Sequence, residues 1–222
     1  MNYAALVQAI QDYSENTEQL FVSNIPLFLS QAELRIYNSV QIPVLRKNVT
    51  GNVTTSNPYL SCPNDFMAVY SLAAISALGV YNYLIDKDVS FIREAYPNPS
   101  VTGLPKYYAI FGSQLTYPTE LSLILTPTPD ASYSVELHYY YMPESITTTA
   151  SGTTWLSDNY DPVLFYGAMR EAMIFMKGEA DMVGYYEQKY QEALGQLKRL
   201  GDGLERGDSY RNNQTKLPYS SL

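Results

Sequence analysis

Helical spacing marks both ends of the chain, and strict alternation marks its middle. Near the start, Leu6, Val7, Ile10 and Tyr13 fall on one side of a helix over residues 3–13. A second helix is expected from Asn24-Ile25-Pro26. Asparagine is a good N-cap, and proline costs nothing in a first turn, where its missing N–H would be unpaired anyway. Phe28, Leu29, Ala32, Ile36 and Val40 form its buried stripe, and Pro43 ends it.

From residue 44 to about 142 the period becomes two. Leu121, Leu123 and Leu125 alternate with Glu120, Ser122, Ile124 and Thr126. After a turn at Pro127-Thr128-Pro129-Asp130-Ala131, Tyr133, Val135, Leu137, Tyr139 and Tyr141 take one face of a strand. Ser134, Glu136, His138, Tyr140 and Met142 take the other. This pattern predicts an antiparallel hairpin with one apolar face. Residues 66–76 and 79–85 read as two tightly joined strands, 88–95 as a short helix, and 106–111 as a further strand. The run Tyr139-Tyr140-Tyr141 is therefore no flat platform. A strand sends neighbours to opposite sides, so Tyr140 alone is left for recognition.

Residues 147–154 are a polar connector. A helix then starts at Asp161-Pro162 and runs toward Lys177, with Leu164, Phe165, Ala168, Met169, Ala172, Met173 and Met176 inward. Asp181 caps the next helix. There Tyr186, Tyr190, Ala193, Leu197, Leu200 and Leu204 step by four and three, the rhythm of a helix packed on a helix. The expected fold is α+β: a four-helix bundle made by the N- and C-terminal helix pairs, with an inserted antiparallel β domain. The boundaries are residues 1–43 and 147–205 for the bundle, 44–146 for the β domain, and 206–222 for an extended polar tail.

Composition sharpens this picture. Of 222 residues, 46% are hydrophobic, enough for a real core, and only 16% are charged, against about 25% in a typical soluble domain. Tyrosine contributes 22 residues. Its apolar ring and wet hydroxyl suit half-buried contact surfaces. The net charge of −8 argues against a protein that grips nucleic acid, but not against one that surrounds DNA without holding it. Nothing at the start reads as a signal peptide, and the apolar stretch 66–84 is too interrupted to span a membrane.

The chemistry-bearing residues are few. Cys62 is a lone cysteine and reads as a small buried hydrophobe; His138 is the lone histidine and reads as a surface residue. The acid pairs Asp158/Asp161 and Glu179/Asp181 sit where helices begin, where a carboxylate suits the helix dipole. Trp155 reads as a staple between connector and helices. No catalytic, metal or cofactor constellation is legible, so the chain is expected not to be an enzyme.

The order of features resembles the head-to-tail adaptors of short-tailed bacteriophages, the family that includes tail tubular protein A and related head-completion proteins. The resemblance is carried by Gln31-Ala32-Glu33-Leu34-Arg35-Ile36 and Pro105-Lys106-Tyr107-Tyr108, and by His138-Tyr139-Tyr140-Tyr141-Met142-Pro143. It continues through Thr154-Trp155-Leu156, the stretch from Tyr160-Asp161-Pro162 to Ala168, and Tyr185-Tyr186-Glu187-Gln188-Lys189-Tyr190. It implies a non-enzymatic ring of twelve copies. The ring would join the portal protein to the tail nozzle protein, offer docking sites for tail fibres, and surround DNA without specific binding or membrane contact. It also implies that the C-terminal segment, with Arg206, Tyr210, Arg211, Lys216 and Tyr219, engages the portal. The rivals are another tail component, such as a fibre-attachment protein, and a carbohydrate-binding β module that stacks sugars on Tyr140, Tyr107 or Tyr108.

Overall fold

A computed structural model describes residues 1–40, 42–114 and 117–205. The chain divides into two compact units, one built from both ends (residues 1–44 and from 143 onward) and one from Leu45–Met142.

The first unit holds five helices: α1 (Tyr3–Ser14), α2 (Gln19–Ser39), α4 (Trp155–Asn159), α5 (Asp161–Phe175) and α6 (Ala180–Glu205). Asn2 caps α1 by accepting from the Ala5 N–H. Helix α2 begins a turn and a half before the expected cap. Asn24 lies inside it, donating to the Leu20 carbonyl at 2.7 Å, and Pro26 is an interior residue. Burial explains the extension. Phe21 and Ile25, at most 1% exposed, carry the apolar stripe back past the proline, and packing outweighs a local helix-breaking preference. The short α4, not foreseen, starts from a capping box in which Thr154 and Ser157 satisfy each other's backbone N–H groups.

The expected four-helix bundle is not what forms. Helix α5 is a hub that packs against α1, α2, α4 and α6. Val163 and Gly167 are buried along with Leu164, Phe165, Ala168, Met169, Ala172 and Met173, so α5 is apolar around most of its girth rather than along one stripe. A helix of that kind is enclosed by its neighbours. At the far end of α6, Leu200 and Leu204 were expected inside but are 41% and 49% exposed. Helix α6 has 26 residues and α5 only 15, so the heptad rhythm outruns the helix it packs on.

The second unit is a two-layer sandwich with a helix, α3 (Val89–Ala95). One sheet has the order β1 (Arg46–Val53), β8 (Tyr133–Tyr141), β3 (Phe66–Ile75), β4 (Tyr81–Tyr83). The other has the order β2 (Tyr59–Ser61), β7 (Tyr117–Thr126), β6 (Tyr107–Gln114), β5 (Ile85–Asp86). The second sheet is mixed, because β5 and β6 run parallel. With six helices and two sheets among the described residues, the architecture is α+β with a large β share, and the expectation of one antiparallel inserted domain on a four-helix bundle is corrected accordingly.

The strands β7 and β8 are not a hairpin. Both edges of β7 are taken by β2 and β6, and both edges of β8 by β1 and β3. The connector after Thr126 crosses from one sheet to the other. The inward faces still agree with the alternation: Leu123 and Leu125 share a core with Val135, Leu137 and Tyr139. Two strands facing one core across a sandwich show the same apolar period as two strands paired side by side. The outward face of β7 is also apolar at Ile124, which packs with Ala109 of β6 beneath Ile92 of α3.

Candidate interaction surfaces

Residues with chemical potential are mostly absorbed into structure. Cys62 is 3% exposed within the sandwich core. His138 Nε2 lies 3.3 Å from a Glu136 oxygen. Hydrogen bonding from Asn48 outweighs the cost of burial and holds the Glu136 carboxyl below its ordinary range, with Tyr81 and His138 adding to the effect. Asp161 and Asp181 stand in the first turns of α5 and α6. Among the described residues no three His, Cys, Asp or Glu side chains gather as a metal site, and no helix is long and apolar enough to cross a membrane. A cleft of about 200 Å³ lined by Met1, Tyr13, Phe165 and Tyr166 among others is smaller than the roughly 300–1,000 Å³ of small-molecule sites.

The tyrosine run divides as a strand requires. Tyr139 is core: it stacks on Phe66 with centroids 5.9 Å apart, and its hydroxyl donates to Asp65 at 2.9 Å. Burial, then the Asp65 carboxylate, pushes the Tyr139 hydroxyl to about 12. Tyr141 lies under the Lys47 ammonium, 4.0 Å from its centroid. Tyr140 is on the opposite face, gripped by Arg46, which hydrogen-bonds its hydroxyl at 2.8 Å and also covers the Tyr70 ring at 4.1 Å. Tyr108 is 7% exposed, and Tyr107 meets Phe91 edge-on at 5.6 Å. The rings proposed for sugar stacking are therefore buried or already engaged.

Two polar arrangements escaped sequence reasoning. Arg35 of α2 pairs with Glu171 of α5 at 2.8 Å and Glu187 of α6 at 3.7 Å, while Arg170 pairs with the same two acids. This network locks three helices at one level beside Tyr190, whose ring lies 5.6 Å from the Arg35 guanidinium. The second is Glu33, 2% exposed on the inner side of α2. It accepts from the Ile146 N–H at 2.9 Å and from the Ser145 hydroxyl. Those bonds pin the chain where it returns to the helical unit. Burial raises the Glu33 carboxyl above its ordinary range, although both hydrogen bonds pull the other way. The only trace in the sequence is an acid at a stripe position, next to Ala32.

What remains exposed and apolar is the informative surface. On α2, Leu20, Leu27 and Leu34 are 67%, 52% and 51% exposed. In the β3–β4 turn, Leu78 is 91% exposed beside Gly79, whose φ of 78° closes the turn. Val80, Tyr81, Tyr83 and Ile85, further along the chain, are also exposed. Large apolar side chains left open together on a folded protein mark contact sites. The segment holding Arg206, Tyr210, Arg211, Lys216 and Tyr219 lies outside the described residues.

Compared with known protein families, residues 1–216 match the family described as SU10 adaptor protein. No curated protein matches the chain.

Proposed function

Because the chain belongs to the SU10 adaptor protein family, we propose that it forms a ring of twelve copies joining the phage portal protein to the tail nozzle. The family is one of structural phage adaptors, which makes the chain a virion component and supports reading it as a structural protein and not as an enzyme. The observation that carries the reading is the family match over nearly the full length of the chain. The surface supports it: each unit leaves large apolar side chains exposed, Leu20, Leu27 and Leu34 in one and Leu78, Val80 and Tyr83 in the other. A ring subunit needs separate surfaces for its two neighbours and its axial partners.

The net charge of −8 suits a lumen through which DNA slides, since acidic walls repel phosphate. The segment with Arg206, Tyr210, Arg211, Lys216 and Tyr219 is the proposed portal contact. Tail fibres would dock on the outer surface of the ring.

Native mass spectrometry of the chain, alone and mixed with the intact portal ring of the same phage, tests the reading. The expected species carries about twelve chains per portal ring. Removing residues 206–222 should abolish that complex and leave the chain folded by circular dichroism. An intact portal that takes up no chain would point instead to another tail component.

A further inference from the structure

We infer that Glu33, Ser145 and Thr147 form a latch on the strap of residues 143–154. The latch closes with Glu33 in either charge state and holds more firmly when Glu33 carries its proton. The strap runs from the end of the β unit to the start of α4. At its far end Gly152 accepts from the Tyr3 N–H at 2.8 Å, and Thr154 closes the capping box of α4. Those groups do not titrate. At its near end the anchor is Glu33, 2% exposed, with Ile146 at 1%.

Donors and acceptors balance in two closed forms. Ser145 has one O–H to give and two lone pairs to fill. The Thr147 N–H donates to Ser145 Oγ at 3.2 Å, and the two hydroxyl oxygens lie 2.9 Å apart, so that either can donate to the other. With Glu33 ionised, Ser145 donates to the carboxylate and accepts from both the N–H and the O–H of Thr147. With Glu33 protonated, Ser145 accepts from the carboxyl and from the Thr147 N–H, and donates to Thr147 Oγ1. Glu33 keeps the Ile146 N–H, at 2.9 Å, in both forms. On ionisation the carboxyl proton leaves to water and two hydroxyls turn, with every heavy atom in place.

The two forms differ in cost. A buried carboxylate has given up water that an open strap would return to it, and a neutral carboxyl gives up far less. Burial raises the Glu33 carboxyl above its ordinary range against the pull of both hydrogen bonds. The closed strap is therefore held fully below about pH 4, the value of an open strap. Part of that hold is lost as pH rises through the raised value. On the elements packed around Glu33 stand Asp12 of α1, Arg35 and Tyr37 of α2, Glu144 of the strap, and Arg170 and Glu171 of α5. Arg35, Arg170 and Glu171 are taken up by their own network, and Asp12 and Glu144 are exposed. Among the described residues, burial and the bonds from Ser145 and Ile146 are what act on the Glu33 carboxyl.

Amide hydrogen exchange of the full chain tests the latch. It is read as the protection factor of Ile146, in which the intrinsic pH dependence of exchange divides out. Protection in the parent should fall as pH rises from about 4, and should stay level in Glu33→Gln, which fixes the neutral form. Thr147→Val keeps the shape of the side chain but leaves the Ser145 O–H without its acceptor when Glu33 is protonated. It should therefore lower protection at the acid end of the range and leave the neutral end near the parent. In the parent alone, the Glu33 carboxyl carbon and the Ile146 amide proton should titrate with one midpoint by NMR. Level protection in the parent, a slope that survives in Glu33→Gln, or two separate midpoints would overturn the latch. Equal loss at every pH in Thr147→Val would overturn the two closed forms and leave a fixed clasp.

Discussion

A Cβ built on Gly167 of α5 would stand 3.0 Å from the Cβ of Ala32 on α2, and 3.3 Å from the Tyr190 ring of α6. Three helices thus converge on a position where a methyl group would push Ala32 and the Tyr190 ring back by a few tenths of an ångström. Gly167 costs α5 some helix propensity and in return lets α2 and α6 approach closely at this point.

Gly167→Ala should therefore destabilise the protein. Overpacking costs about 1–3 kcal/mol, partly offset by the gain of about 1 kcal/mol that alanine brings over glycine in a helix. Gly184 of α6 is the control, since a Cβ there meets nothing within 4 Å. Gly184→Ala should raise stability by up to about 1 kcal/mol. Urea melts of both variants decide the point; a stabilised Gly167→Ala would contradict the packing described.

Glu33 makes stability depend on pH in a defined direction. Its folded carboxyl is held above the ordinary range by burial, so the folded state holds its proton more tightly than the unfolded chain. The stability this contributes is present below about pH 4, the unfolded value, and is lost as pH rises through the folded value. Glu33→Gln keeps an acceptor for the Ile146 N–H without a charge, and its amide N–H can donate to the Ser145 hydroxyl oxygen in place of the bond that Glu33 accepts. The urea midpoint of Glu33→Gln relative to the parent should climb as pH rises from about 4. Glu33→Ala should cost at least about 1–3 kcal/mol at every pH, because the buried Ile146 N–H loses its partner.

Asp65 acts in the opposite sense in the β unit. Burial pushes its carboxyl up, but Lys47 at 2.6 Å and the Tyr139 hydroxyl outweigh that and leave it below its ordinary range. Its stabilisation is present above the ordinary aspartate range and is lost as pH falls through the lowered value. Asp65→Asn should cost about 1 kcal/mol near neutral pH and nothing in strong acid. Thermal melts at pH 7 and near pH 2 would reveal the convergence.

Tyr190 is fully buried, and its hydroxyl has no hydrogen-bond partner among the described residues. Burial pushes that hydroxyl to about 12. Tyr190→Phe keeps the ring against Arg35 and Gly167 while removing an unpaired polar atom. The expected change is a rise of up to about 1 kcal/mol in unfolding free energy. A loss of more than that would mean that the hydroxyl is paired.

Local structure was legible where a short stretch carries its own signal. The alternation from Tyr133 to Tyr141 named the inward face of β8 correctly, and Asp161-Pro162 marked the start of α5 within the first turn. The candidate surface was far less legible. Leu27 and Leu34 carry the same hydropathy as Leu29, and only the packing of the neighbouring helices decides that Leu29 is buried and the other two are not.

By itself, the sequence determined which residues must leave water, the helical or extended period in which they do so, and the texture of an adaptor. It could not determine partners. Whether β8 pairs with β7 or faces it across a core, and whether α5 is one of four helices or the hub of five, depend on contacts between residues far apart in the chain. Periodicity reports only that a face is apolar. Which surface covers that face, and which rows such as Leu20, Leu27 and Leu34 stay open, is decided by three-dimensional packing, because burial belongs to an assembled surface and not to any one segment.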